Sequence, residues 1–174
     1  MTAPMAFAEQ MRLRTHAQHQ QMEQTSVARS LMSKTLTLAA CADILLTWRN
    51  ARSHLAKAIW TTRSAQQVPN LLPAKRGTKA DIDLRSLTAQ HAIHPRLLKE
   101  SVDRDLASPQ TLASYAGVCY VLQGALLGGK VIARHLAMTL GLTALHGAAF
   151  FSAGEEDATW REWIQQADTL VQDS

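Results

Sequence analysis

Two groups of residues in this chain have the types and spacing to do chemistry. The first is His19 with Glu23 four residues later, one helical turn along the same face. A carboxylate there can accept one ring N–H of the imidazole. That fixes the tautomer and raises the basicity of the other nitrogen, the arrangement of a metal-bound histidine. Taken alone, the pair also reads as an ordinary exposed helix contact. The second is the stretch Gly117–Ile132, GVCYVLQGALLGGKVI, in which Gly124, Gly128 and Gly129 stand among apolar, helix-compatible residues. A glycine inside a helix costs about 0.5–1 kcal/mol relative to alanine. Gly124 and Gly128 share a face, so something must come close to it: another backbone, or a flat ligand. Close helix packing is the plainer explanation of this stretch taken alone. A phosphate loop fits poorly, because no strand precedes the glycines and their spacing is neither usual fingerprint.

Other candidate chemistry is thin. The remaining histidines are at 16, 54, 91, 94, 135 and 146. His16/His19 and His91/His94 are each spaced to share a metal, but neither has the HExxH pattern or a carboxylate cluster beside it. Cys41 and Cys119 sit in apolar surroundings without an adjacent base, and no serine sits in an elbow motif. They read as buried thiols of a reducing compartment. Glu155, Glu156 and Asp157 read as the acidic first turn of a terminal helix, and Lys75, Arg76 and Lys79 as a small solvated basic loop.

These residues need a scaffold, and the composition allows one. The 174 residues suit a single domain with a core over about residues 8–171, and 47% hydrophobic residues is ordinary for a globular chain. A net charge of +4 is too mild for the concentrated basic footprint of a nucleic-acid binder, and suits an anionic small molecule or an acidic protein partner. No basic segment followed by a long apolar run opens the chain, so a cytoplasmic location is the default expectation. Gln123, Lys130, Arg134 and His135 interrupt the most apolar stretch, so no clean span of about 20 apolar residues is expected.

No stretch alternates with the two-residue period of a strand, so the fold is expected to be all-α, a bundle of five or six helices. A first helix is expected from about Ala8 to Leu31, with the weak apolar face of Met11, Thr15, Met22 and Val27. A second runs from about Ser33 to Thr61 along a broad stripe that includes Ile44, Leu45, Trp48, Leu55 and Ile59. A loop over residues 62–78 precedes a helix at about Asp81–Val102, with Pro95 as a break. Ser108-Pro109 resembles the start of the glycine-patterned helix, which continues to about Leu140. A last helix over about Glu156–Val171 turns Trp160, Trp163, Ile164, Ala167 and Leu170 inward.

Two of these helices together resemble the haem oxygenase family. Met11-Arg12-x-x-Thr15-x-x-x-His19-x-x-x-Glu23 is close to the family's opening pattern, with methionine for leucine. Tyr120-Val-Leu-Gln-Gly124-Ala-Leu-Leu-Gly128-Gly129-Lys-Val-Ile132 is close to its glycine-rich distal helix. Phe150-Phe151-Ser-Ala-Gly154 followed by Trp160 is a weaker third match. The resemblance spans roughly residues 8–170 and is nearest to the short bacterial enzymes, including those associated with bacteriophytochromes. It implies a helical bundle holding haem between the first helix and the glycine-rich one. It further implies oxidative opening of haem to biliverdin, carbon monoxide and ferrous iron. Electrons would come from a ferredoxin, flavodoxin or reductase, with an acidic redox partner suited to the positive charge. A functional link to a bacteriophytochrome is one further implication, and stable membrane insertion is not expected.

By the same resemblance His19 is the proximal iron ligand, Glu23 orients it and Thr15 packs beside the porphyrin. Gly124, Gly128 and Gly129 let the distal helix pass close over the ring, with Tyr120 in the same motif. Arg12, about two turns before His19, is a partner for the haem propionates, and Arg161 a further one. Two positions depart from the pattern. Gln123 stands where many bacterial relatives have glutamate, and Ala125 where the animal-type enzymes have an aspartate that organises distal water. The weakened distal helix keeps open a haem carrier or sensor on the same fold, and a helical scaffold that binds no haem.

Overall fold

The computed structural model describes residues 6–60, 62, 68, 77–98, 109–152 and 160–172, with the side chains of Leu126, Val171 and Gln172 outside that description. Six helices are present among them: α1 Phe7–Glu23, α2 Ser26–Leu31, α3 Leu38–Trp60, α4 Gly77–His91, α5 Leu112–Leu140 and α6 Trp160–Gln172. The fold is all-α as expected; among the described residues no strand forms, and the β-bridges are isolated ones at Thr143. Glu155, Glu156, Asp157, Lys75, Arg76, Ser108 and Gly154 lie outside the described residues.

Side-chain caps set three of the helix starts. The expected first helix is broken at Gln24–Thr25, because the Thr25 hydroxyl accepts the Ala28 N–H at 3.2 Å and starts α2 afresh. α3 begins later than expected, where the Thr37 hydroxyl accepts the Ala40 N–H at 3.2 Å. α4 stops at His91, ahead of Pro95: Ala92 takes a left-handed φ of 53°. The chain from 92 to 98 then docks on α3, with the Arg96 N–H donating to Asp43 at 2.6 Å and the Leu98 N–H to Thr47 at 3.2 Å. α5 starts at Thr111, not at Ser108-Pro109. Thr111 and Ser114 cap each other reciprocally, a capping box with serine in the third position. It ends at Gly141, whose φ of 69° is the left-handed cap conformation.

α5 runs through two hydrophobic clusters. Tyr115, Ala116, Cys119 and Leu122 pack with Phe7 of α1, Ile59 of α3, and Trp163 and Ala167 of α6. At its other end Leu136 packs with Leu31, Leu45, Leu84, Leu87 and Phe151. Gly124 to Val131 lie between the two clusters. Alone among the described helices, α5 is long and apolar enough to cross a membrane by length and composition.

Candidate functional site

The N-terminal wall of the site is α1. It is seated by the Phe7 N–H, which donates to Asp168 of α6 at 2.6 Å, and by the Phe7 ring, edge-on to Tyr120 with centroids 6.2 Å apart. Met11 touches α5, its terminal methyl 3.8 Å from where a side chain on Gly117 would begin. Beyond Met11 the helix is exposed almost throughout. On its open side the His19 Nδ1 lies 3.3 Å from Glu23 Oε1, both side chains more than half exposed. Engaging Nδ1 leaves Nε2 as the outward nitrogen, the geometry of an oriented metal ligand. The Thr15 hydroxyl donates back to the Met11 carbonyl at 2.7 Å.

The opposing wall is α5. At 100° per residue, Gly117, Val121, Gly124, Gly128, Val131 and His135 fall on one narrow strip. Its two ends are tied to the α1–α2 side, Gly117 against Met11 and His135 through a 3.0 Å contact of its Nε2 with the Ser33 carbonyl. Between the ends the strip is apolar yet uncovered: Val121 is 55% exposed, Val131 61%, and Leu127 on its flank 46%. A Cβ on Gly128 would meet nothing within 4 Å. Uncovered aliphatic side chains clustered beside an open glycine mark a face made for an apolar partner. α1 and α5 thus meet at one end, at Met11 and Gly117, and α5 is tied again to Ser33 through His135; the exposed apolar strip between these ties is the candidate slot, and the His19–Glu23 pair lies further along α1.

The three glycines differ in their surroundings. Gly128 opens onto free space. A Cβ on Gly124 would touch the Trp160 ring at 3.6 Å, an ordinary contact, so α6 covers this end of the strip. Trp160 in turn packs on Tyr120 at 5.3 Å and stacks on Trp163 at 5.6 Å, so Tyr120 belongs to the aromatic floor of the slot. Gly129 points away from the strip, where a Cβ would lie 2.7 Å from the Phe151 carbonyl oxygen. Backbone approach explains Gly129 directly, in place of the expected passage over a ring. Arg12 and Arg161 are exposed.

Several residues around the site carry no motif. Arg52 of α3 donates to the Leu122 carbonyl of α5 at 3.1 Å, bracing the helix just before Gly124. Asp83 of α4 is buried and holds the loop that meets Gly129. A lone arginine or aspartate in a helix gives no sequence signal of such reach; an aspartate at an otherwise apolar, inward position was the only available hint. Gln123 is buried and Ala125 exposed. Among the described residues no group of three or more histidine, cysteine or acidic side chains could hold a metal ion by itself. A metal at His19 would therefore need most of its ligands from elsewhere, as iron in a porphyrin has. A flat, apolar ligand carrying its own metal fits what is present: one oriented imidazole, an open glycine and uncovered valines.

Among curated proteins and among solved structures, none matches this chain. A family profile described as Heme oxygenase matches residues 5–174. With that match covering nearly its full length, and with the all-α bundle in agreement, the chain belongs to the haem oxygenase family.

Proposed function

We propose that this chain is a haem-degrading monooxygenase that opens haem to biliverdin, carbon monoxide and ferrous iron, using O2 and electrons from a separate donor. The observation that carries the reading is the family match over residues 5–174, which the oriented His19–Glu23 pair on α1 and the open space at Gly128 on α5 suit. Bound haem supplies the iron and the macrocycle that is attacked. The chain's part is placement. His19 Nε2 is the iron ligand, and Glu23 holds the ring through Nδ1. Thr15, its hydroxyl committed to Met11, offers its methyl to the proximal side. Val121, Val131 and Leu127 lose water when the slot fills, which stabilises the complex by a few kcal/mol in order of magnitude. Gly128 keeps the distal side open, Gly124 admits the Trp160 ring at the covered end of the strip, and Arg12 and Arg161 meet the propionates. Ala125 cannot hold water through its side chain, so backbone groups of α5 take that role in proton delivery.

The electron donor is an acidic ferredoxin, flavodoxin or reductase drawn by the +4 charge. The setting is cytoplasmic, with a single domain, no stable membrane insertion and a bacterial, bacteriophytochrome-associated relationship. The test is direct: purified chain titrated with haem gives a Soret band that His19→Ala abolishes or shifts. Reductant and oxygen then yield biliverdin and carbon monoxide. Absence of haem binding refutes the proposal. Ala125 favours one alternative, a haem carrier or sensor on this fold; haem spectra that persist through reduction in oxygen would select it.

A further inference from the structure

We infer that Asp83 is a positioning residue for the glycine face of α5, acting through residues 149–151 and their contact with Gly129. Asp83 lies on α4 at 1% exposure, with both carboxylate oxygens engaged: Oδ1 accepts the Ala149 N–H at 2.9 Å and Oδ2 the Phe150 N–H at 2.7 Å. A buried carboxylate is an expensive way to hold a surface loop, because its desolvation must be offset by well-aligned donors. Here the consequence lies one residue further on. With the two preceding N–H groups fixed, the Phe151 carbonyl is aimed at α5, so close that a Cβ on Gly129 would sit 2.7 Å from its oxygen. The Phe151 ring is held separately, edge-on to Trp48 at 5.7 Å and to Phe150 at 5.1 Å. A segment clamped at ring and backbone sets how deeply α5 seats at Gly129. Gly128, the next residue on the same rigid helix, opens on the slot. A displacement at Gly129 is therefore a displacement of the surface over the substrate, where errors of about 1 Å cost rate more than binding.

The test uses the full chain and the variants Asp83→Asn, Gly129→Ala and the double. Asparagine keeps the shape of aspartate but has one acceptor atom for two donors. Hydrogen exchange on the ligand-free chain should quicken about tenfold across Gly124–Ile132 in Asp83→Asn, the loss expected for a charge-accepted hydrogen bond, while Leu112–Cys119 stays at the wild-type rate. Gly129→Ala attacks the same contact from the other side and should reproduce the pattern. The double variant should be no worse than the more severe single, since both break one coupling. In turnover, kcat should fall about tenfold with the KM for haem within about twofold of wild type, and the mixture of biliverdin isomers should broaden. Faster exchange confined to Ala148–Ser152, or additive effects in the double, would overturn the inference. Should Asp83→Asn not fold, Gly129→Ala decides alone, and wild-type exchange across Gly124–Ile132 overturns it. Only the kinetic arm rests on the proposed activity. A wild-type chain that takes up no haem removes that activity and leaves the exchange result to judge Asp83.

Discussion

Two adjacent glycines give the sharpest test of which face of α5 is the slot. Gly128→Ala places a methyl where nothing lies within 4 Å. The variant therefore gains the helix preference of alanine without a clash, about 0.5–1 kcal/mol. For a chain of this size that raises Tm by about 1–4 °C in the absence of haem. Gly129→Ala places the same methyl 2.7 Å from the Phe151 carbonyl oxygen. Overpacking of about 1–3 kcal/mol, less the same helical gain, leaves a loss of up to about 2.5 kcal/mol and a lower Tm. The signs are opposite for one chemical change at neighbouring residues. Haem should then reverse the first of them. A ligand at a hundredfold excess over its Kd stabilises the wild type by about 2.7 kcal/mol. A methyl that intrudes on the ligand by about 1.4 kcal/mol weakens binding about tenfold and removes more than the variant gained. Thermal unfolding followed by circular dichroism, with and without haem, reads all four values. A Gly128→Ala chain less stable than wild type without haem refutes the open face. One equally stabilised with and without haem refutes the slot as the haem site.

Three further outcomes are expected. Glu23→Gln should keep haem bound with a weakened His19 bond, seen as a shifted iron–histidine stretch and affinity lower by about 10-fold or more; an unchanged stretch would dissociate Glu23 from ligand orientation. Asp168→Ala releases the Phe7 N–H held at 2.6 Å, so the start of α1 should fray and stability fall by about 1.5–3 kcal/mol for a charge-accepted bond, measured by urea unfolding; unchanged stability would mean that Phe7 packing alone seats α1. Burial pushes both the Cys41 and Cys119 thiols up to about 11, with Asp83 adding to the effect at Cys41 and the neighbouring Tyr115 hydroxyl opposing it at Cys119. The folded chain then keeps protons that the unfolded chain releases, so this stabilisation is whole below about pH 9 and lost as pH rises towards 11. The slope is about 1.4 kcal/mol per pH unit for each thiol. Urea unfolding at pH 8 and pH 10.5 measures it, and a Cys41→Ala, Cys119→Ala double variant that retained the full slope would refute the assignment.

What was legible in the sequence was what depends on local pattern. The all-α class follows from helical periodicity, and His19–Glu23 from a spacing that any helix delivers. The boundaries were less legible because they turn on single hydroxyls: Thr25 divides one expected helix into two, and Thr111 moves the start of α5 away from Ser108-Pro109. The glycines show the limit most clearly. Spacing places Gly124 and Gly128 together, but only the fold separates Gly124 under Trp160 from Gly128 in the open and Gly129 against Phe151. Packing, weighed in the sequence against ligand approach as the reason for one motif, accounts for Gly124 and Gly129 and leaves Gly128 open. That division also explains why the stretch is not a uniform apolar helix. Its Gly129 side must admit a backbone carbonyl from the loop held by Asp83, while its Gly128 side must admit nothing from the protein at all. The residues that impose the first condition, Asp83 and Phe151, are 46 and 22 positions away from Gly129 in the chain, a distance at which only tertiary structure connects them. The open face of α5 is therefore shaped from behind, by a contact on its opposite, covered side.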